Sequence, residues 1–314
     1  CLSDWSSDVC SSDLLGTGSD VVTFANTGIT VLATGVETLL GGTSTDFVTL
    51  GGSGQTVMVG NLEALAGSAG TDSAILAAGG NTLAISLIES ITGGSGDDTA
   101  ILSGTANSTL SVNLVETLIG NSGVNTLVLS DAGGSTLSVR QIESLVGSAG
   151  NDVVADTGTG GATVTVTAME TFLGGSGKDV VTLGGSGATV TVDGVESLTG
   201  STGTDLVRFQ TSGGTIAVSL VESLVGGTGN DQATLASSNG NTVAVTGLER
   251  VTGASGTDRV SIVGGTGATI EIALIESLTG GAGTDVVTTT TSGGTVALLS
   301  ADTLLGHSGQ DFAI

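Results

Sequence analysis

Residues 170–196 read ETFLGGSGKDVVTLGGSGATVTVDGVE. This stretch decides the fold because it is one unit of a repeat. A Glu opens it, an Asp follows nine residues later at Asp179, and Thr189 stands seven residues before the next Glu, Glu196. Self-similarity at a fixed period of roughly 20 to 50 residues is the signature of solenoids, propellers and arrays. The repeat is therefore the first feature that the fold has to explain.

The same three residue types recur along the whole chain at spacings of 26 or 27 residues. The acid that opens each repeat is found at Glu37, Glu63, Glu89, Glu116, Glu143, Glu170, Glu196, Glu222, Glu249, Glu276 and Asp302. The Thr before it is found at Thr30, Thr56, Thr82, Thr109, Thr136, Thr163, Thr189, Thr215, Thr242, Thr269 and Thr295. Since the Glu-to-Asp and Thr-to-Glu spacings never change, the extra residue of a longer repeat falls in one loop, between the Asp and the next Thr.

Each repeat contains three short runs with the alternation of a β-strand: one after the Asp, one after the Thr and one around the Glu. The apolar residues expected to face the interior are Val48, Val181, Val207 and Val260 in the first run, Val57, Leu83, Val190 and Ile270 in the second, and Leu39, Leu118, Leu198 and Leu278 in the third. Glycine-rich corners, which permit a positive φ, separate the runs. No helical periodicity competes, so the pattern predicts an all-β chain.

Three runs per repeat predict a three-sided parallel β-solenoid of about eleven coils, with residues 15–314 forming a single repeat domain. Successive coils would be hydrogen-bonded at a spacing of about 4.8 Å. The absence of proline fits, because every strand would donate to a ladder. A two-sheet β-roll or an irregular sandwich is the alternative architecture, and the pattern leaves the handedness and cross-section of the coil open.

Charge and composition exclude several classes of protein. The chain has 30 acidic and 5 basic residues, a net charge of −25, and this excludes a nucleic-acid partner because nothing could neutralise the phosphates. No run of about 18 apolar residues occurs, so no membrane-spanning segment is expected. An enzyme is not expected either. The single histidine, His307, has no nucleophile near it in the pattern, and no coil breaks the repeat as a catalytic site would.

Residues 1–14, CLSDWSSDVCSSDL, do not follow the repeat. They resemble the in-frame translation of a common sequencing adapter, and we interpret them as a non-native scar that takes no part in the fold. Both cysteines and the only tryptophan lie in this segment, so they carry no information about the redox compartment. The remaining chain is expected to be a fragment of a longer protein.

The residues before each Asp form the most specific motif in the chain. Residues 93–98, 174–179, 226–231 and 280–285 read GGSGDD, GGSGKD, GGTGND and GGAGTD, and the second, continued through Thr182, fits the nonapeptide G-G-x-G-x-D-x-U-x. This motif resembles the calcium-binding repeat of the repeats-in-toxin (hemolysin-type) family. The resemblance implies a secreted β-roll that folds on binding Ca²⁺, with ions held between stacked turns by Asp carboxylates and glycine-turn carbonyls.

The resemblance assigns a defined set of residues to the metal. The Asp positions are Asp20, Asp46, Asp72, Asp98, Asp152, Asp179, Asp205, Asp231, Asp258, Asp285 and Asp311, and the glycine positions are Gly93, Gly96, Gly174, Gly177, Gly226, Gly229, Gly280 and Gly283. The match is incomplete. The family has two such turns per coil whereas this chain has one per repeat, several turns are degenerate, and Asn125 replaces one Asp.

Coordination chemistry gives a reason for calcium that does not depend on the family. Ca²⁺ takes about six to eight oxygen ligands, and stacked glycine turns with one Asp each would offer carbonyl and carboxylate oxygens. One Asp per coil would also form a column of like charges, with a repulsion of about 0.9 kcal/mol per pair in water that a divalent cation would relieve. The alternative is that each Asp closes its own turn by an Asx hydrogen bond.

The other two ladders have simpler interpretations. The Glu positions are interpreted as a solvated acidic face, with a second row of ions as the alternative. The Thr positions are interpreted as a hydroxyl ladder between coils rather than an ice-binding array, because only Thr163 with Thr165 and Thr189 with Thr191 form a T-x-T pair.

The sequence thus predicts a structural or adhesive repeat segment of a secreted or cell-surface bacterial protein, stiffened by Ca²⁺ in its Asp turns. The alternative is a Ca²⁺-independent solenoid with a carbohydrate- or ligand-binding face. Cell-surface glycans and other copies of the chain are the expected partners besides Ca²⁺. The extracellular or cell-surface localisation follows from the family resemblance, the lack of Cys after residue 14 and the millimolar Ca²⁺ outside cells.

Overall fold

The computed structural model describes residues 19–210, 213–291, 295–307 and 312–313. The interpretation of residues 1–14 as a scar, and the prediction for Asp311, lie outside the described residues. All regular secondary structure in the described part is β-strand, which confirms the all-β prediction. None of these residues forms a helix that is long and apolar enough to cross a membrane.

The chain divides into two compact units, Cys1–Ser144 and Leu145–Ile314. The strands of the first unit are β1 Val21–Thr23, β2 Thr30–Ala33, β3 Thr38–Leu40, β4 Phe47–Leu50, β5 Thr56–Gly60, β6 Ala64–Ala66, β7 Ser73–Leu76, β8 Thr82–Ser86, β9 Ser90–Thr92, β10 Thr99–Leu102, β11 Ser108–Asn113, β12 Thr117–Ile119, β13 Asn125–Leu129 and β14 Thr136–Arg140. The division between the units falls within β15, Ser144–Val146.

The second unit repeats the same strand pattern. Its strands are β16 Val153–Asp156, β17 Thr163–Thr167, β18 Thr171–Leu173, β19 Val180–Leu183, β20 Thr189–Asp193, β21 Ser197–Thr199, β22 Leu206–Phe209, β23 Thr215–Ser219, β24 Ser223–Val225, β25 Gln232–Leu235, β26 Thr242–Thr246, β27 Arg250–Thr252, β28 Arg259–Ile262, β29 Thr269–Ala273, β30 Ser277–Thr279, β31 Val286–Thr289, β32 Thr295–Leu299, β33 Thr303–Leu305 and β34 Phe312–Ala313.

Within each unit the strands alternate between two parallel sheets. Strand β5 pairs with β3 and β7, whereas β6 pairs with β4 and β8. Paired residues lie 17 to 21 positions apart, as in Thr56 with Ser73 and Thr117 with Ser138. One turn of the solenoid therefore contains two strands and about 18 residues, with the core between the two sheets.

The predicted three-sided solenoid of about eleven coils is wrong in its cross-section and its coil count. The described residues form about 16 turns, and their two-sheet arrangement agrees with the alternative architecture, the two-sheet β-roll. The repeat does carry three strands, as predicted, but a turn uses only two of them. Each repeat therefore spans one and a half turns, because each of its three loops reverses the chain instead of turning a triangular corner.

The predicted inward residues are confirmed. All twelve are at most 2% exposed, from Leu39, Val181 and Leu278 at 0% to Val48 at 2%. The apolar residue just before each Glu is also buried, as in Leu62 and Val195, and it closes the core at the edge of the solenoid. Alternation with period two thus placed every predicted core side chain correctly.

The one-and-a-half-turn repeat separates residues that the sequence predicted to be stacked. Successive Thr-initiated strands lie in opposite sheets, so Thr56 pairs with Ser73 and not with another repeat's Thr. Successive Asp residues likewise lie on opposite edges of the solenoid. The predicted Thr ladder and the predicted column of Asp charges at every turn are therefore both wrong, since equivalent residues recur on one edge only every three turns.

Candidate functional site

Three kinds of loop stack along each edge, and their order positions the acidic residues. We call the loop before each Asp the Gly loop, as in residues 93–98, the loop after the Asp strand the variable loop, as in 77–81, and the loop that ends at each Glu the Glu loop, as in 114–116. Because a turn contains two strands, a Gly loop lies between the variable loop of the preceding turn and the Glu loop of the following turn.

In most Gly loops the Asp caps two backbone N–H groups. In the repeat of Asp98, Oδ1 accepts the N–H of Asn81 in the variable loop at 2.8 Å, and Oδ2 accepts the N–H of Gly94 in its own loop at 2.7 Å. The side-chain amide of Asn81 adds a third donor at 2.9 Å. Asp98 is 0% exposed, so its carboxylate is taken out of water and solvated by these donors instead.

The same arrangement recurs through both units. Oδ1 accepts an N–H 17 residues earlier, at 2.6 to 3.1 Å, in Asp46, Asp72, Asp98, Asp179, Asp205, Asp231, Asp258 and Asp285. Oδ2 accepts the N–H four residues earlier, at 2.5 to 2.9 Å, in Asp46, Asp72, Asp98, Asp152, Asp205, Asp231, Asp258 and Asp285. Each of these Asp residues is 0% exposed.

Each Glu connects its own turn to the Asp of the preceding turn by hydrogen bonds. The N–H of Asp98 donates to Oε2 of Glu116 at 2.7 Å, and the carbonyl of Asp98 accepts the N–H groups of Glu116 and Thr117. Eleven such contacts, at 2.6 to 2.9 Å, occur in the described part of the chain. The donor is Asn125 in one of them and an Asp in the other ten, and the acceptor is Asp302 in one and a Glu in the other ten. The Glu row is therefore a set of second caps, a role that its interpretation as a solvated face missed.

The first glycine of each Gly loop is required by a close backbone approach. A Cβ added to Gly93 would lie 1.5 Å from the carbonyl oxygen of Leu114 in the next turn, and one added to Gly253 would lie 1.9 Å from that of Leu274. No side chain fits at such distances. These glycines thus have a packing role. The family resemblance assigned Gly93, Gly174, Gly226 and Gly280 among them to a metal, and that assignment stays a prediction.

The residue whose carbonyl makes that approach is itself in an unusual conformation. It stands two positions before the opening acid and has a φ of 51 to 65° in Gly35, Asn61, Leu87, Leu114, Gln141, Ala168, Gly194, Leu220, Gly247, Leu274 and Ser300. A left-handed residue reverses the chain within the three-residue Glu loop. Glycine or asparagine at four of these positions is the sequence signal of this conformation, and the repeat pattern of Thr, Glu and Asp does not include it.

Two Gly loops depart from the common pattern. Asn125 directs its Nδ2 towards the carbonyl groups of Asn121, Gly123 and Gln141, and its buried Oδ1 has no partner. Asp179 keeps the contact of Oδ1 with Ala162, but its buried Oδ2 has no partner, although this loop fits the nonapeptide.

The capped turns as they stand do not fit a Ca²⁺ shell. Both oxygens of a complete cap already accept N–H groups, and the nearest equivalent Asp on the same edge is three turns away, or about 14 Å. Among the described residues, no three or more His, Cys, Asp or Glu side chains are grouped as metal ligands. Ca²⁺ binding to the capped Asp residues stays a prediction, and an ion there would have to displace the N–H donors.

Comparison with models of protein families, with curated protein sequences and with solved structures finds no match to this chain.

Proposed function

We propose that this chain is a structural spacer segment of a secreted or cell-surface protein, and that its turns are held by its own carboxylates without a requirement for Ca²⁺. The observation that carries the proposal is the complete cap. In it a fully buried Asp such as Asp98 accepts hydrogen bonds from two backbone N–H groups, and its own backbone N–H donates to the carboxylate of a Glu. The localisation comes from the resemblance to a secreted family and is part of the proposal.

The physical chemistry of the cap supports folding without metal. A hydrogen bond to a charged group contributes about 1.5 to 3 kcal/mol, more than one between neutral groups. Each cap joins three successive turns, since its donors and acceptors are 17 or 18 residues apart. Contacts of this kind form only between neighbouring turns, as in other solenoids. A series of turns joined in this way is suited to the role of a spacer, which requires no catalytic site.

A second candidate function, a ligand-binding face, rests on a different observation. Thr165, Thr182, Thr199 and Ser219 are in register on four adjacent strands of one sheet and point outward. Their hydroxyl groups follow one another at about the strand spacing of 4.8 Å. Such a row of donors and acceptors favours a polyhydroxylated partner, and a glycan array would test it: specific binding that T182V abolishes supports this function, and absence of binding contradicts it.

The capped-turn proposal is tested by removing metal from the full chain with EDTA and then unfolding it in urea. Unfolding is monitored by far-UV circular dichroism. We expect the β-spectrum to be complete in EDTA. We expect D98A to lower the free energy of unfolding by about 3 kcal/mol, because two buried N–H groups lose their acceptor. D97A removes the exposed acid next to it and serves as the control, with a change within about 0.5 kcal/mol.

A chain that is unfolded in EDTA and gains its β-spectrum only when CaCl₂ is added would contradict the proposal and support the repeats-in-toxin prediction. Equal effects of D98A and D97A would show that the caps do not carry the stability.

A further inference from the structure

One place in the second unit breaks the repeat twice. The last residue of the strand after the Asp faces the core, and Asp156 stands at this position with only 8% of its surface exposed. Elsewhere the position is held by Leu50, Leu76, Leu102, Leu129, Leu183, Phe209, Leu235, Ile262 and Thr289. The second break is the incomplete cap of Asp179, which lies in the Gly loop of the next turn on the same edge.

The two carboxylates flank the same pair of glycines. A Cβ added to Gly174 would lie 2.8 Å from Oδ2 of Asp179, and one added to Gly175 would lie 3.3 Å from Oδ2 of Asp156. The carbonyl oxygen of Gly158 is beside them, 2.7 Å from the same Gly175 position. Carboxylate and carbonyl oxygens from two successive turns therefore lie beside this dipeptide.

The cap of Asp179 leaves one carboxylate oxygen, Oδ2, without a hydrogen-bond donor. Oδ2 would be expected to accept the N–H of Gly175, as Oδ2 does from the equivalent residue in eight other Gly loops, but no such bond is formed. Asp179 is 0% exposed, so its Oδ2 is removed from bulk solvent. An oxygen of a buried carboxylate without a donor, next to a second buried carboxylate, favours a bound cation.

Asp20 is the other Asp with an unpartnered Oδ2, and it does not make a comparable case. The residues that would form its Gly loop lie outside the described part of the chain, and no second buried carboxylate is described beside it.

We propose that Asp156 and Asp179, with the carbonyl oxygen of Gly158, form a single divalent-cation site of the Ca²⁺ type in this chain. Carboxylate and carbonyl oxygens are the ligands that Ca²⁺ prefers, and water completes its shell of about six to eight. The site differs from the one that the sequence motif predicts, because its second carboxylate comes from a strand position outside the motif. It is a single site where the repeat fails, whereas the motif predicts an ion at every turn.

The test is isothermal titration calorimetry of CaCl₂ into the full chain after EDTA treatment and buffer exchange. We expect one saturable site per chain. D156L, which restores the residue found in most repeats, is expected to weaken binding at least ten-fold and to fold well, because a Leu suits this core position. D179N should weaken binding to a similar extent. D205N changes an equivalent Asp with a complete cap and should leave binding of the ion unchanged.

The possible outcomes separate this site from the proposed function. Absence of saturable binding, or unchanged binding by D156L, would overturn the site and leave the capped turns untouched. A stoichiometry near ten would overturn the single site, because every Gly loop would then hold an ion. Whether the turns require those ions is decided separately by the β-spectrum in EDTA. A melting temperature that CaCl₂ raises in the wild type and not in D156L would support the site independently of the calorimetry.

Discussion

At the scale of single residues, the Glu loop imposes one backbone conformation on whatever residue stands at its first position. Glycine adopts a positive φ freely, but an L-residue with a Cβ is disfavoured there by about 1 to 2 kcal/mol. Leu87, with a φ of 52°, also leaves 67% of its surface exposed. It therefore has unfavourable backbone geometry and little burial to offset it.

We predict that L87G raises the free energy of unfolding by about 0.5 to 1 kcal/mol. The relief of the left-handed strain exceeds the extra entropy that glycine has in the unfolded chain. Urea unfolding of the full chain checks this prediction. The reverse change, G247L at the equivalent position of another repeat, should destabilise by a similar amount, and a stabilising G247L would contradict the strain argument.

The acidic residues show at the same scale how far sequence reasoning could reach. The Asx alternative for the Asp residues anticipated part of their role, since a local turn contact of Asp98 with Gly94 is visible in the spacing of four residues. The contact of Asp98 with Asn81 and the contact of Glu116 with Asp98 span 17 and 18 residues. They depend on which loops are neighbours in space, and no local pattern contains that information.

At the scale of elements, the Gly loop and the Glu loop work as a pair. The first glycine of the Gly loop allows a carbonyl group of the Glu loop to come within contact distance. This carbonyl belongs to the residue with a positive φ, and the strands on both sides of the two loops continue in register. Gly200 against Leu220 and Gly226 against Gly247 show the same approach. The pairing explains why this glycine is present in every Gly loop, including the degenerate ones.

We predict that G253A destabilises the chain by about 2 to 3 kcal/mol, because its Cβ would overlap the carbonyl oxygen of Leu274 and force the two turns apart. The matched control is G265A, at a glycine of the same unit where an added Cβ meets nothing within 4 Å. The control should be neutral or slightly stabilising. Urea unfolding of both variants is the measurement, and equal effects would contradict the close-approach explanation.

At the scale of the whole molecule, the repeat and the turn have different lengths. A repeat is one and a half turns, so the next repeat begins on the opposite edge with the same local surroundings. The order of variable loop, Gly loop and Glu loop along an edge is preserved by adding or removing whole repeats. It is destroyed by removing one turn.

We predict that deletion of residues 90–116, one repeat of 27 residues, leaves a folded solenoid. Deletion of residues 90–107, one turn of 18 residues, should lower the melting temperature substantially. The shorter deletion removes the Gly loop that contains Asp98, so the N–H of Asn81 and the carboxylate of Glu116 lose their partner. The melting temperatures of the two deletion variants are compared by thermal unfolding monitored by circular dichroism. A more stable 18-residue deletion would contradict the one-and-a-half-turn repeat.

The sequence by itself determined the strands, their inward faces and the loop that varies in length, because alternation, glycine corners and constant spacings are local properties. Only the tertiary structure decided that two strands make a turn, that Asp residues alternate between edges, and that Glu116 caps Asp98. Three short strands per repeat are compatible with a triangular coil and with a flattened one. The choice between them depends on hydrogen bonds that link residues 17 and 18 positions apart, which exist only once the turns are stacked.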